Sequence, residues 1–175
     1  ISGGPPVTIC NAERIYNASW SADNVILFDG DRTRIMRVPA NGGTPEKILE
    51  SKNEVHLAPQ LLPDGTNLLL TLSPVTRPID MRIAVQSLGT GTRKELFAGA
   101  SARYLETGHL VYVKGGDLFA VPFDADRAEV TGGPVSMVQG LVGFPARYAV
   151  SDSGALVYEQ SEGESSAERI LVWVD

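Results

Sequence analysis

The sequence predicts an all-β fold, and three observations support this prediction. A strand-like run that ends in a polar turn, with an apolar run directly after it, occurs four times in the 175 residues. The last turn residues of the four copies are Asn24, Gly65, Gly108 and Gly154, so the spacings are 41, 43 and 46 residues. No window keeps the 3.6-residue apolar period of a helix. A period of about forty residues built from short strands indicates a β-propeller of about four blades, each a four-stranded antiparallel sheet.

The first two blades are expected at about 15–50 and 55–98. In the second, Asp64 before Gly65 is typical of a tight turn, and an insert over 73–80 with two prolines is expected to be a loop. The strands predicted here are Ile15–Trp20, Val25–Phe28, Arg34–Val38, Glu46–Leu49, Leu68–Leu72, Met81–Leu88 and Arg93–Phe97.

The third blade is expected at about 101–140 and the fourth at 146–175. The Gly-Gly pair within Lys114–Asp117 is a hairpin signal between two apolar runs. The strands predicted here are Leu110–Val113, Leu118–Val121, Val135–Val138, Arg147–Val150, Ala155–Glu159 and Arg169–Val174.

The fourth blade has no fourth strand, and residues 3–10 read as a strand with no blade of its own. Pairing the two would remove two exposed sheet edges. Pairing within one chain would give a four-bladed ring, and pairing between two chains would give an eight-bladed homodimer with two-fold symmetry. The sequence is also compatible with a piece of a longer chain; for the isolated chain we favour the two-chain ring.

The overall composition limits the choice of partners. The net charge of −6 argues against a nucleic-acid surface or an anionic-membrane surface. No apolar run approaches the roughly 18 residues of a membrane span, so we expect no membrane insertion by this chain. The single cysteine, Cys10, is expected to be a packed thiol.

Several stretches resemble a known family. Trp20-Ser-Ala-Asp23 and Leu62-Pro-Asp-Gly65, each before an apolar strand, resemble the turn signature of TolB-type, WD-repeat-like propellers. Ile35-Met-Arg-Val-Pro-Ala-Asn-Gly-Gly-Thr-Pro45 and Asp117-Leu-Phe-Ala-Val-Pro-Phe-Asp124 resemble the C-terminal propellers of bacterial membrane-bound serine/threonine protein kinases. The resemblance implies a sensor or scaffold domain outside the cytoplasm. The resemblance implies no kinase activity for this chain, since no kinase motif occurs in its sequence.

Two Arg-Tyr pairs are the candidate ligand-binding residues. Arg103 with Tyr104 and Arg147 with Tyr148 each follow an alanine, and we expect them at equivalent positions on innermost strands. Two guanidinium groups near a central channel could hold a carboxylate or phosphate. In the alternative reading, each arginine pairs with a carboxylate of the adjoining blade and each tyrosine packs between blades. Trp20 and Trp173 are expected to pack between blades.

No metal, cofactor or catalytic set is expected. The two histidines, His56 and His109, lack the spacing of a zinc site. The pairs Asp29/Asp31 and Asp124/Asp126 could offer oxygens to calcium, but neither has the spacing of an EF-hand loop. We therefore expect a non-catalytic binding or scaffold module whose partner is a protein or a small anionic ligand.

Two enzymatic alternatives stay open. A lactonase-like hydrolase would need ligands that converge from several blades, and Asn17, His56 and Glu106 are the only loose candidates. The chain could also be the gating propeller of a prolyl-peptidase-like enzyme, whose hydrolase domain would lie outside this sequence.

Overall fold

The fold is known from a computed structural model that describes residues 5–143, 147–151, 154–160 and 172–174. These residues contain sixteen strands and no helix, which confirms the all-β prediction. Accordingly, no helix in the described part of the chain is long and apolar enough to cross a membrane.

The first two blades are regular four-stranded antiparallel sheets, each ordered as in the chain. Blade one consists of β1 (Ile15–Trp20), β2 (Val25–Gly30), β3 (Arg34–Pro39) and β4 (Glu46–Glu50). Blade two consists of β5 (Glu54–Leu61), β6 (Asn67–Pro74), β7 (Arg82–Ser87) and β8 (Arg93–Ala98). Every strand predicted for these blades is present within one or two residues of its expected ends.

Blade three is ordered β9-β10-β11, and its outer position is shared by two short strands that both pair with β11. In blade four, three strands are described, ordered β14-β15-β16. Blade three consists of β9 (Ala100–Leu105), β10 (His109–Lys114), β11 (Asp117–Asp124), β12 (Glu129–Val130) and β13 (Val135–Val138). Blade four consists of β14 (Tyr148–Val150), β15 (Leu156–Tyr158) and β16 (Val172–Val174).

The blades stack face to face, and this stacking forms the core. Alternate residues of β6 point to opposite faces, so Leu68 and Leu70 pack against blade one while Leu69 packs against blade three. All three side chains are fully buried. A third apolar cluster joins the far face of blade three, through Val111 and Leu118, to blade four. A central strand covered on both faces therefore reads as a continuous apolar run rather than an alternating one.

The four predicted turns share one geometry. In each, the last turn residue donates its backbone N–H to the carbonyl three positions earlier, at 2.9 to 3.1 Å. Each last residue also has a positive φ, which glycine and asparagine tolerate best. These residues are Asn24 (63°), Gly65 (65°), Gly108 (76°) and Gly154 (90°). The repeat deduced from the sequence is therefore a structural repeat.

The innermost strands of blades one to three each carry a β-bulge near the middle. The bulge in β5 places Ala58 at φ 51°, and the bulge in β9 places Ser101 at φ 53°. Each bulge N–H is bonded by a side chain of the preceding blade: Asp29 accepts from Ala58 at 3.4 Å and Thr71 accepts from Ser101 at 2.9 Å. Asp29 is fully buried and also accepts from the bulge of its own blade. These bonds tie successive innermost strands together.

The strand predicted over residues 3–10 is not formed in residues 5–10, so this prediction is wrong for that part. Instead, the Ile9 carbonyl accepts from Gly43 N at 3.3 Å. Residues 11–14 then face Phe28 and Met36 across a cleft of about 220 Å³, on the side of blade one that points away from blade two. Pro5 and Pro6 lack the N–H groups that a sheet ladder needs. Residues 11–14 instead lie over the apolar side chains on the face of blade one that points away from blade two. Closure by a second chain stays a prediction.

Candidate functional site

The turns that end β1, β5 and β9 surround an open cleft of about 720 Å³. These three strands are the innermost strands of blades one, two and three, so their ends gather at one face of the stack. We call this depression the turn-face cleft. Its lining residues are Ser19, Trp20, Ser21, Ala22, Asp23, Gln60, Leu61, Leu62, Pro63, Gly65, Tyr104 and Glu106.

The wall between blades two and three is fixed by the amide of Gln60. Its Oε1 accepts from Tyr104 N at 2.8 Å, and its Nε2 donates to Tyr104 O at 3.1 Å. The Gln60 side chain thus forms with the backbone of Tyr104 the pair of hydrogen bonds that a neighbouring strand would form. Because both bonds join β5 to β9, the two innermost strands hold a defined spacing below the cleft.

Arg103 lies among the bulges of the innermost strands and bridges three blades. Its Nη1 donates to Ala58 O at 3.4 Å and to Pro59 O at 3.3 Å, and its Nη2 donates to Ala18 O at 3.2 Å. Burial lowers the pKa of Arg103 from its ordinary value, but a guanidinium stays charged at physiological pH. No carboxylate of the described residues lies within ion-pair distance of it. These contacts favour a structural role.

Arg147 does not occupy the position equivalent to Arg103, so that prediction is wrong. In the register of blade three, Arg103 faces Val111 on β10, whereas in blade four Ala149 faces Val157 on β15. Counted back from the turns, Ala149 is the counterpart of Arg103, and Arg147 lies two residues earlier. The shared Ala-Arg-Tyr sequence hides a shift that counting from the glycines would have revealed.

The exposed side chain of Arg147 forms an ion pair with Glu159 of its own blade, at 2.7 Å between Nη1 and Oε2. The structure therefore does not bring Arg103 and Arg147 together as a matched pair. Binding of an anion at either residue stays a prediction.

The two candidate tyrosines pack between blades. The Tyr104 ring meets Phe123 edge-on at 6.1 Å between centroids, within the cluster shared by blades two and three. The Tyr148 hydroxyl lies within hydrogen-bonding distance of the Ser101 and Val111 carbonyl oxygens of blade three. Burial raises the pKa of the Tyr148 hydroxyl. Of the two, Tyr104 also lines the turn-face cleft.

Trp20 is not packed between blades as expected, since 65% of its surface is exposed. Leu61 and Tyr104, which also directly precede the first turn residue of their blades, pack against the preceding blade. Blade one has no preceding blade in the described residues. The indole instead lies at the rim of the cleft, where Nε1 donates to Asn24 Oδ1 at 3.2 Å. The expected packing of Trp173 concerns a side chain outside the described part.

The three loose candidates for a lactonase-like site do not converge. Asn17 donates to the buried Asp29, and Glu106 lies in the turn after β9. His56 is only 2% exposed and lies near the start of β5, at the end of the strand opposite the turn. The described residues contain no group of three or more histidine, cysteine, aspartate or glutamate side chains that could hold a metal ion.

Comparison with solved structures gives the class of fold. A chain of a nidogen/laminin complex matches with a TM-score of 0.59 and 17% identity, over 83% of this chain and 56% of that one. A luciferin-regenerating enzyme matches with a TM-score of 0.55 and 11% identity, over 94% and 76%. An oligogalacturonate lyase in complex with manganese matches with a TM-score of 0.50 and 12% identity, over 79% and 42%.

The stacked four-stranded sheets and these neighbours define a β-propeller fold. The chain spans 56% of the nidogen-containing match. No protein-family model matches the chain, and no curated protein matches it significantly in sequence. At identities this low the neighbours establish the fold alone. They include proteins named for binding and proteins named for catalysis.

The first prediction separates the two arginines. Arg103→Ala should lower the free energy of unfolding by about 2 kcal/mol, because carbonyl oxygens of two neighbouring blades lose their donor. Arg147→Ala should lower it by less than about 1 kcal/mol, because its ion pair is exposed. Urea unfolding measures both. Equal effects of the two substitutions would contradict the assignment of Arg103 as a bridge between blades.

The second prediction concerns pH and His56. Neither ring nitrogen has a hydrogen-bond partner among the described residues, and Glu54 Oε2, itself paired with Arg93, lies 3.8 Å from Nε2. Burial lowers the pKa of His56 from its ordinary value, and this outweighs the opposing effect of Glu54. The unfolded chain therefore binds a proton more readily than the folded one. The free energy of unfolding should be maintained above about pH 6.5 and fall as the pH drops towards the folded-state pKa.

Urea unfolding at about pH 7.5 and about pH 5.5 tests this expectation. His56→Leu should make the loss between the two pH values smaller. An unchanged loss in His56→Leu would show that His56 does not cause the pH dependence.

Proposed function

We propose that this propeller is a non-catalytic binding module that takes an extended segment of a partner protein in the turn-face cleft. The observation that carries the proposal is the cleft itself. Turns from three successive blades border it, and its volume of about 720 Å³ lies within the range of about 300–1,000 Å³ that is usual for ligand sites.

The walls of the cleft support the proposal because they are held before a ligand arrives. Gln60 joins β5 to β9, and Arg103 joins β9 to both preceding innermost strands. A site whose backbone is already ordered loses less conformational entropy on binding. Leu61 and Pro63 supply apolar surface, and the surrounding turns supply polar groups. Such a mixture suits a peptide better than a purely apolar ligand.

The sensor or scaffold role implied by the resemblance to bacterial kinase propellers belongs to the same proposal, as does a location outside the cytoplasm. A partner protein suits that role, and one of the neighbouring structures is that of a nidogen/laminin complex. The low identity of that match means that the proposal rests on the cleft and not on the neighbour. The proposal assigns no hydrolase or kinase chemistry to this chain.

The third prediction tests binding at the cleft. A displayed library of random twelve-residue peptides should yield sequences that bind the purified chain. Ala22→Trp should abolish this binding, because Ala22 is an exposed turn residue of the cleft lining and the larger side chain blocks it. Val75→Trp should bind normally, because Val75 is an exposed residue in the loop after β6, at the opposite end of blade two.

Two outcomes would contradict the proposed function. The first is selection of peptides that bind wild type and Ala22→Trp equally well, or selection of none. The second is turnover of a panel of esters and lactones by the purified chain, which would favour the lactonase-like alternative.

A further inference from the structure

We propose that the turn-face cleft selects a basic segment, with a lysine or arginine side chain of the partner held between the Glu106 carboxylate and the Trp20 ring. This inference rests on the proposed function, since it names the chemistry of the segment that the cleft would take. It follows from three features: the charges of the lining residues, the Glu106 carboxylate that no described residue binds, and the exposure of the Trp20 side chain.

The charges that line the cleft are of one sign. Two lining side chains are carboxylates, Asp23 and Glu106, and the lining set contains no lysine, arginine or histidine. The nearby cation, Arg103, points its guanidinium nitrogens at backbone carbonyls and is not among the lining residues. A concave surface lined by one sign of charge concentrates ligands of the opposite sign. The net charge of −6 acts in the same direction.

The two carboxylates differ in how much of their bonding capacity the fold uses. Asp23 accepts from the Ser21 hydroxyl at 2.5 Å, so the turn occupies one of its oxygens. Glu106 is exposed and has no hydrogen bond or ion pair to any described residue. Its counterpart in the turn of blade one is Ala22, and in blade two it is Pro63. The carboxylate of Glu106 is therefore not required by the shared turn geometry and remains available to a ligand.

Trp20 supplies a second, independent feature that suits a cation. Its indole is 65% exposed at the rim of the cleft, and the bond from Nε1 to Asn24 anchors the edge of the ring. A tryptophan face is the best aromatic surface for an ammonium or guanidinium group. The apolar surface of Leu61 and Pro63 can accept the methylene stem of the same side chain.

The test begins with the twelve-residue peptide library selected on the wild-type chain. The selected sequences should be enriched in lysine or arginine. For one synthetic selected peptide, replacing its central basic residue by norleucine should weaken binding about tenfold, as measured by isothermal titration calorimetry. Glu106→Gln and Trp20→Ala should each weaken binding of the unchanged peptide by about fivefold or more.

Asp80→Asn is the matched control. It changes the net charge by the same amount as Glu106→Gln, but it lies in the loop before β7 at the other end of blade two. It should leave the affinity unchanged. An equal loss in both variants would mean that overall charge, not the cleft, attracts the peptide, and this would overturn the inference.

Selection of neutral or acidic peptides, or unchanged affinity in Glu106→Gln, would also overturn it. In either case the proposed function would survive as long as Ala22→Trp still blocks binding. If no peptide binds in a way that Ala22→Trp abolishes, both the proposed function and this inference are wrong.

Discussion

Stacking of apolar sheet faces is the interaction on which the rest of this molecule depends. A single blade of short strands cannot bury both of its faces, so each blade is completed by its neighbours. Leu69 and Leu70 of β6 are both fully buried although they point to opposite faces. Burial of one such side chain stabilises the fold by about 2 kcal/mol. On the face of blade one that no other described blade covers, residues 11–14 lie over part of the sheet, and Trp20 is exposed.

The candidate site is a consequence of this stacking. Face-to-face packing brings the innermost strands side by side, and their bulges turn backbone groups towards the adjoining blades. Thr71, Gln60 and Arg103 then bond backbone groups of a neighbouring blade. The polarity of these three side chains serves the joints between blades. The turn-face cleft lies above these cross-blade bonds, which fix the positions of its walls.

Apart from the strand expected over residues 3–10, the sequence was sufficient for the strands and turns of the blades but not for the site. Asn24 and Gly65 mark turns because their chemistry is local, and local chemistry repeats visibly. The position of Arg103 depends on a bulge and on the length of the strand after it, which a matching tripeptide does not reveal. The exposure of Trp20 arises because no described blade precedes blade one, and a pattern inside one blade does not reveal this. The sequence offers Glu106 only as a loose ligand candidate of a lactonase-like site, and its place in the cleft depends on the three-dimensional arrangement of three turns.

Site-specific amide hydrogen exchange tests most directly the claim that cross-blade bonds hold the innermost strands. The amides of Ser101, bonded to Thr71, and of Tyr104, bonded to Gln60, should exchange nearly as slowly as those of the central strand β6. Thr71→Val should accelerate exchange at Ser101 and leave Tyr104 protected. Exchange of both amides in the wild-type chain as fast as at the exposed turn residue Thr107 would contradict the account, because the cleft would then have no fixed walls.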